Sequence, residues 1–350
     1  MNGFAARTGL TSPAPDRRYL WTDAFAVCNF LGLGETGLAL RLVDRVHHTL
    51  GRHRAGEART GWISGLAEAE GEAHPTRGGL RIGKPLPERG PGEAFDERKE
   101  WDRDGQYFHY LTRWMHALNR AARLTGQPRL NLWARELLHA AFASFAAGKR
   151  MAWKMSIDLS RALVPSMGQH DPLDGFITCV QLRADMEPGA GGPDLADALA
   201  GFAAMIEGRD WATADPLGLG GLLADALRAA QLAGRGSLPD ASLVETLLAA
   251  ALDGLRLQEE LGEPSGPASG RLAFRELGLS IGLHAAEKLR ARELPASTRA
   301  LAGELRPYLP RAGAIESFWL RRRGGAGWEE HQDINDVMLA TSLAPEGFLE

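Results

Sequence analysis

The chain has 350 residues, of which 44% are hydrophobic and 24% charged, as is usual for a globular protein of one or two domains. Its formal net charge of -4 gives no electrostatic reason to expect nucleic-acid binding. The N-terminus lacks the order of a signal peptide, and no run approaches the roughly 18 apolar residues of a membrane span. These features predict a cytoplasmic protein that does not bind membranes.

Helix-forming residues dominate the chain, since Ala, Leu, Arg and Glu are abundant and few segments alternate apolar and polar residues. After a flexible N-terminus at residues 1–18, six helices are predicted to begin near residues 22, 106, 172, 216, 271 and 332. Five returning helices separate them. Cys28 and Cys179 both fall within apolar helical patterns, which indicates buried free thiols.

Residues 51–104 form the longest stretch without helical periodicity and are rich in Gly, Pro, Arg and Glu. A structureless loop of more than about 15 residues is uncommon in a compact domain unless it is a lid or a binding loop. A lid is favoured over a disordered insertion because the segment contains apolar anchors, namely Trp62, Ile63, Leu80, Ile82 and Phe95. A second Gly/Pro segment, residues 262–270, is predicted to be a linker.

A recurring junction joins these parts, in which a polar, acidic loop leads directly into an apolar helix. The richest one is residues 168–174, GQHDPLD, and similar junctions precede the other predicted inner helices. Repeated helix pairs are typical of solenoids and closed rings. Because the long polar loops precede only alternate helices, we expect a closed ring with one functional face.

The junction at residues 168–174 is loosely similar to the Gly-His-x-x-Glu helix start of the N-acylglucosamine 2-epimerases, with Asp174 at the position of the Glu. Over residues 19–345 the chain resembles the six-hairpin (α/α) toroids, which include these epimerases and many glycoside hydrolases. The resemblance implies an all-α fold, a single (α/α)6 toroid domain at residues 19–350. Residues 51–104 would then be an insertion at the mouth of the ring.

Carboxylates at the helix starts are the first candidates for chemistry. Glycoside hydrolysis needs two carboxyl groups, one protonated and one ionised, and Asp104 and Asp171 are the expected pair because each lies among further acidic and hydrogen-bonding groups. Asp before a helix is also a favoured N-cap, which remains the alternative for each of them. The other acidic residues predicted to face substrate are Asp23, Asp102, Asp174, Asp333 and Asp336.

Histidines provide a second possible chemistry. An epimerase removes a proton next to a carbonyl on one face and returns it on the other, which suits two imidazoles. His170 and His331 are the best-placed pair, and His109, beside Tyr107, is predicted to contact substrate. Either member of the pair could bind a metal with its neighbouring carboxylates, but neither spacing matches a recognised zinc or calcium loop, so no metal is predicted.

Aromatic and basic side chains complete the set of candidates. Trp21, Trp101 and Trp153 fall in or beside the loops of the presumed mouth, where indole faces could form the floor for a sugar ring. Simple packing over the end of the ring is the alternative for these tryptophans. The basic residues that could clamp a carboxylate or phosphate, or else be merely solvated, are Arg77, Arg81 and Lys154.

These observations predict a carbohydrate-active enzyme, in the first place a glycoside hydrolase that acts on a sugar or oligosaccharide through Asp104 and Asp171. One alternative is a sugar epimerase or isomerase that uses His170 and His331. Another is a non-catalytic ring that binds a glycan or a partner protein. No Gly-rich phosphate cradle follows a strand, so no cofactor is predicted. No feature of the sequence predicts the oligomeric state.

Overall fold

A computed structural model describes residues 1–262 and 268–350. Most of the predicted linker, residues 263–267, lies outside the described residues. The structure is mostly helical, with 60% helix and 4% strand, which confirms the all-α class. The α-helices are α1 (Asn2–Arg7), α2 (Leu20–Gly32), α3 (Thr36–Leu50), α4 (Glu68–Ala73), α5 (Glu97–Asp102), α6 (Phe108–Thr125), α7 (Pro128–Phe145), α8 (Asp171–Ala184), α9 (Ala196–Ile206), α10 (Pro216–Gly234), α11 (Ser242–Leu261), α12 (Ala273–Arg290), α13 (Ala296–Glu304), α14 (Arg311–Leu320), α15 (Ala326–Glu329), α16 (Gln332–Leu343) and α17 (Glu346–Leu349).

The short remaining elements are strands and 3-10 helices. The strands are β1 (Gln106–Tyr107), β2 (Ala146–Ala147), β3 (Arg150–Met151), β4 (Lys154–Met155) and β5 (Ala162–Val164), and the 3-10 helices are Ala268–Gly270 and Arg306–Tyr308. β1, β4 and β5 form an antiparallel sheet in which Tyr107 is paired with Lys154. Strands of two or three residues are too short to show alternation in a sequence.

The six predicted inner helices begin within two residues of their expected starts, as α2, α6, α8, α10, α12 and α16. Local signals also mark the boundary between α6 and α7. Pro128 begins α7, and α6 ends before Gly126, which adopts the left-handed conformation with a φ of 63° that favours glycine. No helix within the two described ranges is both long and apolar enough to cross a membrane.

The chain divides into two compact units, Asn2–Glu207 and Gly208–Glu350, the second joined by Met1, whereas the sequence predicted one domain over residues 19–350. In the first unit α6 packs against α2 and α8, α3 packs against α2 and α6, α7 packs against α6 and α8, and α9 packs against α8. In the second unit α12 packs against α10, α14 and α16. Each unit has its own buried core, with Trp114 in the first and Trp319 in the second.

The N-terminus is packed, although the sequence predicted that residues 1–18 are flexible. Phe4 and Leu10 bury their side chains, and the Thr8 hydroxyl donates to the carbonyl of Phe4. The side chain of Arg18 is also buried and donates to the carboxylate of Asp23. Two apolar side chains and one buried ion pair therefore hold a segment in which the sequence shows no periodic pattern.

Residues 51–104 are mostly irregular, as predicted, and contain only the short helices α4 and α5. Four of the five predicted anchors, Trp62, Ile63, Leu80 and Ile82, are buried, while Phe95 is 58% exposed. The segment is therefore anchored rather than a disordered insertion.

Close helix contact in the second unit depends on glycines. A Cβ atom on Gly220 of α10 would lie 2.0 Å from the carbonyl oxygen of Gly278, and one on Gly282 of α12 would lie 2.5 Å from the Cα atom of Gly220. Both distances are impossible for real atoms, so the two backbones approach as closely as they do only because these positions lack side chains.

Both cysteines, Cys28 and Cys179, are buried free thiols as predicted, and burial raises the pKa of each to about 12.

Candidate functional site

Aromatic rings from separate parts of the unit Asn2–Glu207 form one continuous group, which we call the aromatic cluster. Its members are Tyr19, Trp21, Trp101, Tyr107, His109, Tyr110 and Trp153. The start of α2, the junction of β1 with α6, and the turn before β4 supply six of these rings, and α5 supplies Trp101.

The imidazole of His109 lies at the centre of the aromatic cluster. It stacks on Trp153 at 6.0 Å and 12° and on Tyr107 at 5.4 Å and 28°. Trp21 and Tyr110 meet it edge to face, with ring centroids 6.1 and 4.9 Å away. Its side chain remains 26% exposed. A molecule at this surface would therefore meet an imidazole that four neighbouring rings hold in one orientation.

The sheet sets the spacing within the aromatic cluster. The register of β1 against β4 places Tyr107 opposite Lys154, and Trp153, one residue before, packs on Tyr107 with ring centroids 4.9 Å apart. The hydroxyl groups of Tyr19 and Tyr110 are 2.5 Å apart. A short sheet and one hydroxyl contact therefore fix rings that are distant in sequence.

Asp171 lies beside this cluster as the first residue of α8, and it does not cap the helix. The N-cap residue is His170, which makes no side-chain capping bond. At α10, by contrast, the carboxylate of Asp215 accepts from the amide of Gly218 at 2.8 Å, as an ordinary cap does. The Oδ2 atom of Asp171 is buried without a hydrogen-bond partner. The cap alternative therefore describes Asp215 and not Asp171.

Gly168 provides the space for the Asp171 carboxyl group. A Cβ atom at position 168 would lie 2.6 Å from both Cγ and Oδ2 of Asp171. Any other residue would push the carboxyl group away or displace the loop. The Gly-x-x-Asp spacing of this junction therefore has a steric reason.

Burial changes the protonation of both groups at the centre of the site. It raises the pKa of Asp171 to about 7, with a further increase from the charge of Asp174, against opposing effects of the Gly168 backbone and Arg113. Burial, followed by the charge of Arg113, lowers the pKa of His109 to about 4. The Nδ1 atom of His109 is 3.9 Å from Oδ1 of Asp171, which is too long for a hydrogen bond. A neutral imidazole thus faces a carboxyl group that titrates near neutral pH.

Asp174 keeps a different set of contacts. Its Oδ2 atom accepts a short hydrogen bond from the hydroxyl of Thr112, and Arg113 lies 3.5 Å from Oδ1. Asp171 and Asp174, three residues apart on one helix, therefore have different surroundings: one carboxyl group is buried with an unpaired oxygen, and the other contacts a hydroxyl and a guanidinium group.

Buried polar atoms without partners also gather here. Nε1 of Trp21, Nδ1 of His109 and Oδ2 of Asp171 are each buried and make no hydrogen bond within the part of the chain that the structure describes. Leaving such groups unpaired costs about 1–3 kcal/mol each, so folded proteins rarely keep them without a reason. Donors and acceptors on a bound polar molecule would remove this cost.

Asp104, the predicted partner of Asp171, has structural contacts instead. Its side chain is fully buried, and Oδ2 accepts from Arg81 at 2.8 Å and from Arg54 at 3.2 Å. Oδ1 accepts from the amides of Gly83 and Gly105 at 2.9 and 3.1 Å. Asp104 thus joins the segment 51–104 to the start of β1, and four donors occupy its carboxylate.

The three basic residues predicted to bind an anionic group, Arg77, Arg81 and Lys154, also make contacts within the protein. Arg81 also donates to backbone carbonyls, and the buried ammonium group of Lys154 donates to the carboxylate of Glu100 at 2.9 Å. Arg77 binds Glu136 at 3.1 Å and is 42% exposed. These side chains hold the loops of the unit to its helices.

Of the other residues of this unit that were predicted to contact substrate, one is buried and two are exposed. Asp23 is buried and accepts from Arg18 and from the amide of Tyr19, so it organises the start of α2. Trp101 and Asp102 are exposed on α5, where the Trp101 ring meets Trp153 edge to face at 5.5 Å. Trp101 therefore extends the aromatic surface outward.

Three predicted residues belong to the unit Gly208–Glu350. His331 is the N-cap residue of α16 and lies edge to face with Phe274 at 5.8 Å. Asp333 follows in the first turn, and the Asp336 carboxylate accepts from Arg323 at 3.0 Å and from Trp328 at 3.3 Å. The pairing of His170 with His331 stays a prediction.

The sequence interpretation did not identify Tyr19, Tyr110 and Gly168 as part of the site. Tyr19-x-Trp21 and Tyr107-x-His109-Tyr110, each at the start of a helix, repeat the same dense aromatic pattern and were the available signal.

Comparison of the chain with protein-family models, with curated proteins and with solved structures finds no significant match. Among the described residues, no group of three or more His, Cys, Asp and Glu side chains is arranged to hold a metal ion.

Proposed function

We propose that the aromatic cluster and Asp171 form the site of an acid–base enzyme whose substrate is a sugar or a similar polar ring. The observation that carries the proposal is the buried Asp171 carboxyl group, with a pKa of about 7 and an unpaired oxygen, next to a neutral imidazole. Strongly perturbed titratable groups are a recognised mark of catalytic sites.

The two pKa values define the protonation state of the site. Between about pH 4 and about pH 7 Asp171 is protonated and His109 is neutral. In glycoside hydrolysis Asp171 would donate its proton to the glycosidic oxygen as the glycosidic bond breaks, while water adds to the anomeric carbon and gives a proton to a second carboxylate. The carboxylate that accompanies it in this proposal is Asp174, not Asp104, because four donors occupy Asp104.

The aromatic cluster supports the choice of substrate. The rings of His109, Tyr110, Trp153 and Trp101 are half-buried or exposed and in mutual contact, and His109 lies 3.9 Å from the acid. Flat apolar faces beside polar groups suit the faces of a sugar ring, whose C–H groups are apolar and whose rim carries hydroxyls.

Isomerisation is a second candidate, favoured by the separation of His109 and Asp171. A neutral imidazole can accept a proton from a carbon next to a carbonyl, and a protonated carboxyl group 3.9 Å away can supply one. Assays of free sugars would distinguish this reaction from hydrolysis.

We also propose that the fold is an (α/α)6 toroid. Support comes from each unit by itself, because in each of them the three predicted inner helices pack against one another in chain order. That order is the one expected of consecutive helices in a ring.

The proposed function predicts a specific loss of activity. A panel of aryl glycosides and free sugars would be assayed with the wild type and with Asp171→Asn and His109→Gln. Because a positioned general acid or base typically contributes about 100- to 10,000-fold, each variant should lower kcat by at least about 100-fold. The matched control is Asp197→Asn, which removes an exposed carboxylate at the start of α9 and should leave kcat unchanged.

Two results would contradict the proposed function. One is a substrate that the wild type and both variants convert at the same rate. The other is a panel in which no sugar is converted and none shows saturable binding.

A further inference from the structure

A cavity in the unit Gly208–Glu350 is independent of the site described above. Its volume is about 560 Å³, and the start of α10, the end of α11, α12 and α14 surround it. This volume lies within the range of roughly 300–1,000 Å³ that is typical of small-molecule sites. The apolar part of its wall consists of Pro216, Leu261, Leu279, Ala314, Ile315 and Phe318.

The charges around this cavity are mostly positive. Three arginines line it, against a single carboxylate, that of Glu276. Arg271 and Glu276 form a two-point ion pair, with N–O distances of 2.6 and 2.5 Å, so they neutralise each other. Arg311 and Arg321 supply the excess charge. Arg311 also forms an ion pair with Glu259 at 3.6 Å, in which the two side chains are 26% and 52% exposed.

The aromatic wall reinforces this positive character. The guanidinium groups of Arg271 and Arg322 lie 4.2 and 3.7 Å from the ring centroid of Phe318. Nε1 of Trp319 donates to Glu276 at 2.9 Å, which fixes the carboxylate that neutralises Arg271. The cavity therefore combines an apolar wall with more guanidinium groups than carboxylates along its lining.

We propose that this cavity binds an amphipathic anion, an organic carboxylate or sulfonate with an apolar body. The body would lie against Leu279, Ile315 and Phe318. The acid group would lie near Arg311 and Arg321, since guanidinium is the preferred protein partner of such anions.

The test uses two fluorescent probes that share their ring system. Anilinonaphthalene sulfonate carries the anionic group and phenylnaphthylamine lacks it, and both are titrated into the full chain. The sulfonate should bind more tightly by about tenfold, the effect of two partly exposed charge contacts. Dodecanoate should displace the bound sulfonate at about tenfold lower concentration than dodecanol.

Substitutions of residues that line the cavity test whether the probes bind inside it. Arg311→Gln with Arg321→Gln should weaken sulfonate binding by about tenfold and leave the uncharged probe unchanged. The matched control is Arg290→Gln with Arg306→Gln, two exposed arginines of the same unit that do not line the cavity. Ala314→Trp, at an exposed wall position, should weaken both probes by filling the space.

Thermal unfolding of each variant confirms that it is folded before binding is compared. Equal affinity of the two probes would overturn the proposal. So would equal sulfonate binding by the arginine variant and its control, or unchanged binding of both probes by Ala314→Trp.

Discussion

Two aspartates of the unit Asn2–Glu207 show how surroundings decide the role of one residue type. Asp104 receives hydrogen bonds from two guanidinium groups and two amides, whereas Asp171 is buried with one oxygen unpaired. The fold therefore favours the protonated form of Asp171. The pKa of this group is 3.8 in an unfolded chain and about 7 in the folded protein. As the pH rises between these two values, the contribution of Asp171 to the free energy of unfolding should decrease.

The contacts of Asp104 predict that Asp104→Asn is destabilising. The substitution keeps the shape of the side chain but leaves Arg54 and Arg81 facing a neutral group in a buried position. Breaking one partner of a buried ion pair typically costs about 3–5 kcal/mol, and because both arginines keep backbone partners we expect about 3 kcal/mol. Urea unfolding measures the loss, with Asp197→Asn as the control. An unchanged midpoint would show that Asp104 does not anchor residues 51–104.

At the scale of elements, one carboxylate joins three helices of the unit Gly208–Glu350. Oε1 of Glu316 on α14 lies 2.7 Å from Nε2 of His284 on α12 and accepts from Ser342 on α16 at 2.7 Å. Ser280 donates to the same oxygen at 3.1 Å. The histidine and both hydroxyls converge on the carboxylate, so the arrangement stabilises helix packing and does not activate a nucleophile.

The contacts between His284 and Glu316 predict a pH range in which this pair stabilises the unit Gly208–Glu350 most. The hydrogen bond with Glu316 raises the pKa of His284 above 6.5, against burial. Burial opposes ionisation of Glu316, but bonds from His284 and Ser342 outweigh it and lower its pKa below 4.5. The contribution of His284 is complete below pH 6.5 and is lost as the pH rises through its folded pKa. That of Glu316 is complete above pH 4.5 and is lost as the pH falls.

Between pH 4.5 and 6.5 both contributions are present, so His284→Gln should cost most there and progressively less above that window. Chemical unfolding from pH 4 to pH 9 measures the difference from the wild type. His139→Gln, at an exposed position of α7, is the matched control. A cost that does not vary with pH would show that His284 acts only through packing.

At the scale of the whole molecule, local signals predicted more than long-range ones. The starts of α8, α10 and α16 follow from Pro172, Pro216 and an acidic loop, because these residues act within one turn of the chain. The short sheet was not predictable, since β1 and β4 are distant in sequence. The packed N-terminus was not predictable because it shows no periodic pattern.

The candidate site shows the same limit. Asp171, Asp174, His109 and Trp153 were recognisable because each lies at a polar junction or beside an aromatic residue. Sequence could not show that four donors surround Asp104, since two of them, from Arg54 and Arg81, come from a segment with no periodic pattern. Burial, which moves the pKa of Asp171 in one direction and that of His109 in the other, is a property of the folded unit alone.

Titration of Asp171 shows whether the site holds a proton to donate near neutral pH. Carboxyl-carbon NMR of the full chain, with labelled aspartate and with Asp171→Asn to assign the resonance, measures its pKa by titration from pH 3 to pH 9. We predict a midpoint near pH 7, well above the ordinary 3.8. A midpoint at or below 3.8 would contradict the account, because Asp171 would then be an ordinary ionised carboxylate with no proton to donate.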